Sequence, residues 1–402
     1  MNVLDKEPEP DTPSESDRHA EPDTPAEPDT PSESDRHAEP DTPAEPDTAS
    51  ESDRHAEPHA RGESARASRR ERGRGRARRW LGRGGIAVVL VLALIGAWSS
   101  WGWLTAAPEA GHFRSAEGRE VYMDAYQESF EALPKPSATH DLRTSHGIAR
   151  VYEWSSPRTA GAEPVVLVPG RASGVPMWSE NLPALAAEHP VFAFDIIGDA
   201  GMSVQSVRFS DFDEQAEYID DLMAQIAPDG AHLVGHSFGG RLSASFALAH
   251  REDVLSLTLL EPAVTFANPP LGMLAWTGAT FIPGLPEPVK DRALTEIGGE
   301  PYDPRDPMAQ MIEAGTEHYQ AALPQPGVLT EQQLAALEVP TYVAIGEHSS
   351  LAGGQRAVEG ASALPDATVE VWPDTTHSLP MQAGEPLNRV VLEHIDDNDG
   401  GQ

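Results

Sequence analysis

The chain has 402 residues, no cysteine and a formal net charge of −35 at pH 7, so disulfides, zinc–thiolate centres, a thiol nucleophile and a cysteine-linked lipid anchor are excluded. The charge is uneven: residues 1–60 hold 19 acidic against 4 basic side chains, and 61–83 hold 10 arginines against 2 glutamates. The remainder of the chain is acidic, reads as a solvated surface, and offers no basic face to nucleic acid.

Asp11 to Pro28 recurs as Asp29 to Pro46, and most of a third copy starts at Asp47, a period of 18. Pro, Glu, Asp, Ser and Thr dominate, so residues 1–60 cannot bury enough apolar surface to offset their ordering entropy and are expected to be disordered. His19, His37 and His55 recur with the repeat; isolated on a solvated chain, they are not expected to hold a metal. Residues 61–85 are arginine-rich, with Arg69, Arg70, Arg72, Arg74, Arg76, Arg78 and Arg79 crowded together. From Ile86 to Leu104 no residue is charged, and at ~1.5 Å per residue this run reaches the ~30 Å of a hydrocarbon core. It predicts a transmembrane helix over 86–104. The arginines are expected to stay cytoplasmic, with Trp98, Trp101 and Trp103 at the opposite interface and the C-terminal remainder outside the cell. The competing reading is secretion after cleavage, since Thr105-Ala106-Ala107 is small and Arg78-Arg79 resembles a twin-arginine signal. Pro108 directly after the alanines, and an apolar run that begins only at residue 86, favour the uncleaved anchor.

A globular pattern begins near Gly111. Glu120 to Leu133 reads as a helix ended by Pro134 and Pro136, and residues 138–144 and 148–154 as a hairpin about Ser145-His146-Gly147. A fully apolar strand comes next at 164–168, a second buried strand at 191–195 and a further one at 254–260, with helices at 179–188 and 212–226. Strands alternating with amphipathic helices predict an α/β fold with a mostly parallel, doubly covered sheet. The alternation stops over about 264–338, a Pro- and Gly-rich stretch with helical pieces near 308–322 and 330–337. This predicts an inserted cap over the C-terminal edge of the sheet, where ligands bind in such folds. Alternation resumes with strands at 340–346 and 368–372 and helices from 353 and over 385–395. The core is thus expected over 111–263 and 339–397, with a short loose tail at 398–402.

Ala231 to Gly235 leads into Gly235-His236-Ser237-Phe238-Gly239, and a helix-forming run leads out. This is the context of a nucleophile elbow, in which Gly235 and Gly239 permit a turn too tight for larger side chains. Ser237 needs a base, a carboxylate to orient it, and N–H donors for an oxyanion. His377, on the loop after the last strand, has the right chain order for the base. The backbone N–H groups of Phe238 and of Arg171, in the Pro169-Gly170-Arg171 turn, are the candidate oxyanion donors. Nothing in this chemistry requires a cofactor or metal.

These residues resemble the α/β-hydrolases, and within them carboxylesterase-like members of the naproxen-esterase type. The resemblance covers about Phe113 to Ile395 and rests on Thr144-x-x-Gly147, Pro169-Gly170, Trp178-x-x-Asn181, the run Asp195 to Gly201 with Ser203, the elbow, Pro262-Ala263-x-Thr265-Phe266 and Gly346-Glu347-His348. It implies an α/β-hydrolase fold and cleavage of a small-molecule ester. In many members the acid stands three residues after the glycine that here is Gly346, and that position is Ser349. Glu261, which ends the preceding strand, and Glu347 are the alternatives, with Glu261 preferred because Glu347 is expected to face away. Asp195 and Asp199 resemble structural loop residues. A serine nucleophile argues against haloalkane dehalogenase or epoxide hydrolase chemistry, which needs a carboxylate. Thioesterase, lactonase and C–C hydrolase activity, or a non-catalytic binding domain, remain as alternatives, and the sequence leaves oligomeric state open.

Overall fold

The computed structural model describes residues 108–280, 282, 285–299 and 301–400. The repeats expected over 1–60, the arginine-rich 61–85 and the expected membrane span 86–104 lie outside them. No helix among the described residues is long and apolar enough to cross a membrane.

In chain order the elements are β1 (His112–Phe113), α1 (Ala116–Phe130), β2 (Ala138–Arg143), β3 (Gly147–Trp154), β4 (Val165–Val168), α2 (Leu182–Glu188), β5 (Val191–Phe194), β6 (Val204–Gln205), α3 (Gln215–Ile226), β7 (Ala231–His236), α4 (Phe238–Ala249) and β8 (Val254–Leu260). Next come α5 (Leu271–Thr280), α6 (Glu287–Gly298), α7 (Pro307–His318), β9 (Tyr319–Gln320), α8 (Glu331–Ala336), β10 (Thr341–Gly346), α9 (Gln355–Ala361), β11 (Ala367–Trp372) and α10 (Leu379–Asp396). The main sheet runs β11-β10-β8-β7-β4-β5-β3-β2, with β6 beside β3. From β5 to β11 the pairings are parallel, whereas β3 is antiparallel to β2, β5 and β6. Because successive side chains face opposite sides and both sides are covered, β4 is apolar at every position. Val166 and Val168 face a cluster with Leu242, Phe246 and Val343, while Val165 and Leu167 face Leu182, Leu387 and Val391 on the other side.

The strand order reverses between β4's neighbours β5 and β7, and the carboxyl ends at such a switch point form a crevice. Both the β4 turn and the β7 elbow open into it. The insertion between β8 and β10 covers this edge and is more ordered than its composition suggests. It contains α5 and α6 as well as the two helical pieces that the periodicity predicts, and the run near 308–322 ends at His318 and turns extended. There β9 pairs antiparallel with β1, while Tyr122, Ala125 and Tyr126 of α1 pack with Met311 and Ala314 of α7. Gly118 allows the close approach, since a Cβ there would lie 2.7 Å from the His318 Cβ. The first described helix therefore braces the insertion. At the other end, residues 398–400 differ from the loose tail expected: Asp399 accepts a hydrogen bond from His232 at 2.8 Å, and residues 401–402 lie outside the described residues.

Candidate active site

Ser237 sits between β7 and α4 with φ 54° and ψ −119°, a backbone region that costs a non-glycine residue on the order of 1–3 kcal/mol and persists only where the surroundings fix it. Three backbone bonds fix it here: Ser237 N–H donates to Leu260 O at 3.1 Å, and Ser237 O accepts from Arg241 N at 3.2 Å and Ala263 N at 3.1 Å. The strained turn aims the hydroxyl at His377, whose Nε2 lies 2.9 Å from Ser237 Oγ. His377 Nδ1 lies 3.0 Å from Glu261 Oε2. A carboxylate can only accept, so Nδ1 carries the proton and Nε2 presents its lone pair to the serine.

Glu261 is fully buried, and such a charge requires a complete set of donors. Gly346 N (2.8 Å) and the Ser350 hydroxyl (2.7 Å) donate to Oε1. Leu351 N (3.1 Å) and Ala352 N (3.2 Å) donate to Oε2 beside His377. The loop after β10, which has Ser349 where the resemblance leads one to look for an acid, instead folds around an acid brought from the end of β8. Glu261 itself has φ 47°, which turns its side chain out of the strand's alternation toward that loop. Glu347 is not brought to His377: its side chain is 48% exposed beside His348 and accepts the Asp374 N–H at 3.1 Å.

Phe238 is the first residue of α4, so its N–H has no intrahelical partner and lies at the positive end of the helix dipole. Across from it, the Pro169-Gly170-Arg171 turn lies against Ser237, and a Cβ on Gly170 would stand 3.3 Å from Ser237 Cβ. The aspartates hold this turn. Asp199 accepts from Ala172 N at 2.8 Å, and Asp195 accepts from Val175 N, Met202 N and the Tyr126 hydroxyl at 2.8, 2.7 and 2.9 Å. Burial raises the pKa of Asp195, and these three donors oppose the shift.

Two contacts were not visible in the sequence pattern. Thr376, next to His377, donates its hydroxyl to Gly298 O of α6 at 2.7 Å, and Gln382 Nε2 donates to the same oxygen at 3.2 Å, so the insertion is latched to the histidine's loop. His236 is buried beside His377, with ring centroids 4.9 Å apart, and its Nε2 donates to His377 O at 2.9 Å. Burial, with His377 as neighbour, pushes the His236 pKa down to about 3, so it stays a neutral Nε2–H donor that fixes the loop carrying His377. Position beside the elbow is the only sequence signal for it. Substituting His236→Phe keeps a ring but leaves a buried carbonyl unpaired, at a cost of about 1–3 kcal/mol. We expect kcat for ester turnover to fall about tenfold with KM nearly unchanged; an unaltered kcat would remove the positioning role.

The family model described as alpha/beta hydrolase fold matches residues 163–281. The carboxylesterase YbfK of Bacillus subtilis is 28% identical over 70% of this chain and 96% of its own length. An uncharacterized carboxylesterase, nap, of the same organism is 25% identical over 69% of this chain and 93% of its own. The crystal structure of carboxylesterase CesB (YbfK) superposes with a TM-score of 0.64 at 26% identity, covering 70% of this chain and 99% of that one. With the sheet order, the elbow and the insertion all in place, the chain belongs to the α/β-hydrolase fold family and is carboxylesterase-like within it.

Proposed function

We propose that the protein is a membrane-anchored serine esterase that cleaves carboxylic esters through an acyl-enzyme. The observation that carries this reading is the continuous Ser237–His377–Glu261 hydrogen-bond chain beneath two candidate oxyanion donors. Ser237 Oγ attacks the ester carbonyl while His377 Nε2 takes its proton, and Glu261 offsets the imidazolium charge. The Phe238 and Arg171 N–H groups hold the oxyanion. His377 returns the proton to the departing alcohol, and water, deprotonated by the same nitrogen, then releases the acid. An ester with an apolar acyl or alcohol part fits the run from 262 to 286, which enters the cap without one charged residue. The carboxylesterase names of the relatives support the same substrate class. The uncharged stretch 86–104 behind the arginines supports an anchor with the hydrolase domain outside the cell.

One experiment separates the chemistry from the placement. A membrane-impermeant fluorophosphonate applied to intact cells bearing the full chain should label Ser237 to about one equivalent. Labelling only after lysis would overturn the outward placement, and none in either sample would overturn the esterase reading.

A further inference from the structure

The edge of the sheet opposite Ser237 carries a cluster that the esterase reading does not use. His232 is the second residue of β7, whose far end leads into the elbow, and His189 precedes β5. Asp396 ends α10, and Asp399 stands three residues on. His189 is buried, its side chain 3% exposed, and its Nδ1 lies 3.0 Å from Glu163 O. A carbonyl oxygen only accepts, so Nδ1 is the donor and Nε2 is the ring nitrogen turned to the rest of the cluster. From Nε2, Asp396 Oδ1 is 3.8 Å away, and one ligand atom each from His189, Asp396 and Asp399 lie within 4.8 Å of one another. Two carboxylates gathered about one buried imidazole nitrogen concentrate negative charge that a cation held among them would offset.

His232, completely buried, completes the surroundings. Its Nε2 is 2.8 Å from Asp399 Oδ1, which requires the proton there, and its Nδ1 accepts from the Ser256 hydroxyl at 2.8 Å. Both rings thus have the outer hydrogen bonds that characterise metal-site histidines: one orients a ligand nitrogen, and the other holds a ligating carboxylate.

We propose that His189 Nε2, Asp396 and Asp399 bind a divalent cation of the zinc class, with His232 positioning Asp399. Zinc takes imidazole nitrogen and carboxylate oxygen at ~2.0–2.2 Å, so two ligands about a tetrahedral ion stand about 3.3–3.5 Å apart. The 3.8 Å gap between His189 and Asp396 needs only a small closure, and the two aspartates, 59% and 35% exposed, have room to make it. One imidazole with two carboxylates suits zinc better than magnesium or calcium, which prefer oxygen alone. A bound ion would tie the end of α10 to the segment before β5, strengthening the fold without touching Ser237.

The test is zinc titration of the full chain in detergent at pH 7.5, by calorimetry and thermal melting, against the Asp396→Asn/Asp399→Asn double variant and His189→Gln. The fifteen histidines make the difference between proteins the readout. Wild type should bind one zinc more than either variant. Its Tm should rise about 5 °C at a hundredfold excess over Kd, with no response to magnesium and no change in ester turnover of the zinc-free samples. Equal zinc stoichiometry and equal Tm shifts in wild type and variants would overturn the proposal. A variant destabilised in chelator, with zinc responding alike in all three, would also overturn it, leaving a protonated-histidine ion pair.

Discussion

Replacing Glu261 with glutamine is expected to lower kcat for ester hydrolysis by about 10⁴-fold, while Glu347→Gln stays within about twofold of wild type. The large effect comes from protons. Glu261 Oε2 holds His377 in the Nδ1–H tautomer from 3.0 Å. A glutamine that keeps its oxygen toward Gly346 N and Ser350 Oγ must turn its NH₂ toward His377, Leu351 N and Ala352 N. The histidine would then have to accept at Nδ1 and place its proton at Nε2, facing Ser237, where it can no longer act as a base. Donor would also meet donor at Leu351 and Ala352, so the variant is expected to lose stability. Far-ultraviolet circular dichroism and a melt must accompany the rates, and the kcat of the folded fraction is the quantity to compare. Glu347 accepts the Asp374 N–H and faces His348 at the surface, so its amide exchange alters nothing around His377. A 10⁴-fold loss in Glu347→Gln with a mild effect in Glu261→Gln would reverse the assignment of the acid.

That choice marks where sequence legibility ended. The parallel sheet could be read because strands buried on both faces are dominated by apolar residues, completely so at Val165 to Val168. The elbow could be read because glycine is required at fixed offsets from the serine. Glu261 and Glu347 could not be separated from the sequence. Each directly follows a strand of the sheet, and what distinguishes them is a positive φ at Glu261 together with a loop, 349–352, whose donors converge only in three dimensions. The helices α5 and α6 were hidden for another reason: α5 has Gly272 and Gly278 inside it, and α6 begins beside Pro286 and Pro288, residues that in isolation signal irregular chain. Packing of α5 and α6 against each other outweighs those local preferences. Gly384 splits α10 with φ 36° and ψ −121°, and periodicity shows only the half beyond it. His236 was invisible as a positioning group because a hydrogen bond to a backbone carbonyl 141 residues away leaves no local pattern.

The elbow's tightness carries the second large effect, on folding. In Gly239→Ala the new Cβ would lie 2.3 Å from both Pro169 O and Val168 O and 2.7 Å from Val168 C. All three are backbone atoms at the end of β4 and the start of the Pro169-Gly170-Arg171 turn, so no rotamer change can relieve the overlap. α4 would have to shift by about 1 Å, which pulls Phe238 N–H off its position. Overpacking at a site bounded by backbone costs more than the ~1–3 kcal/mol usual for an extra methyl in a core, and we expect at least about 4 kcal/mol, a value found only for severe lesions. The matched control is Gly272→Ala in α5, where nothing lies within 4 Å of the added Cβ. There alanine should stabilise by about 0.5–1 kcal/mol through helix propensity and a less entropic unfolded chain. Urea unfolding of both variants checks this pair: the same substitution should move the midpoint in opposite directions. A Gly239→Ala protein as stable as wild type would mean that the turn between β7 and α4 does not approach β4 as closely as its geometry requires.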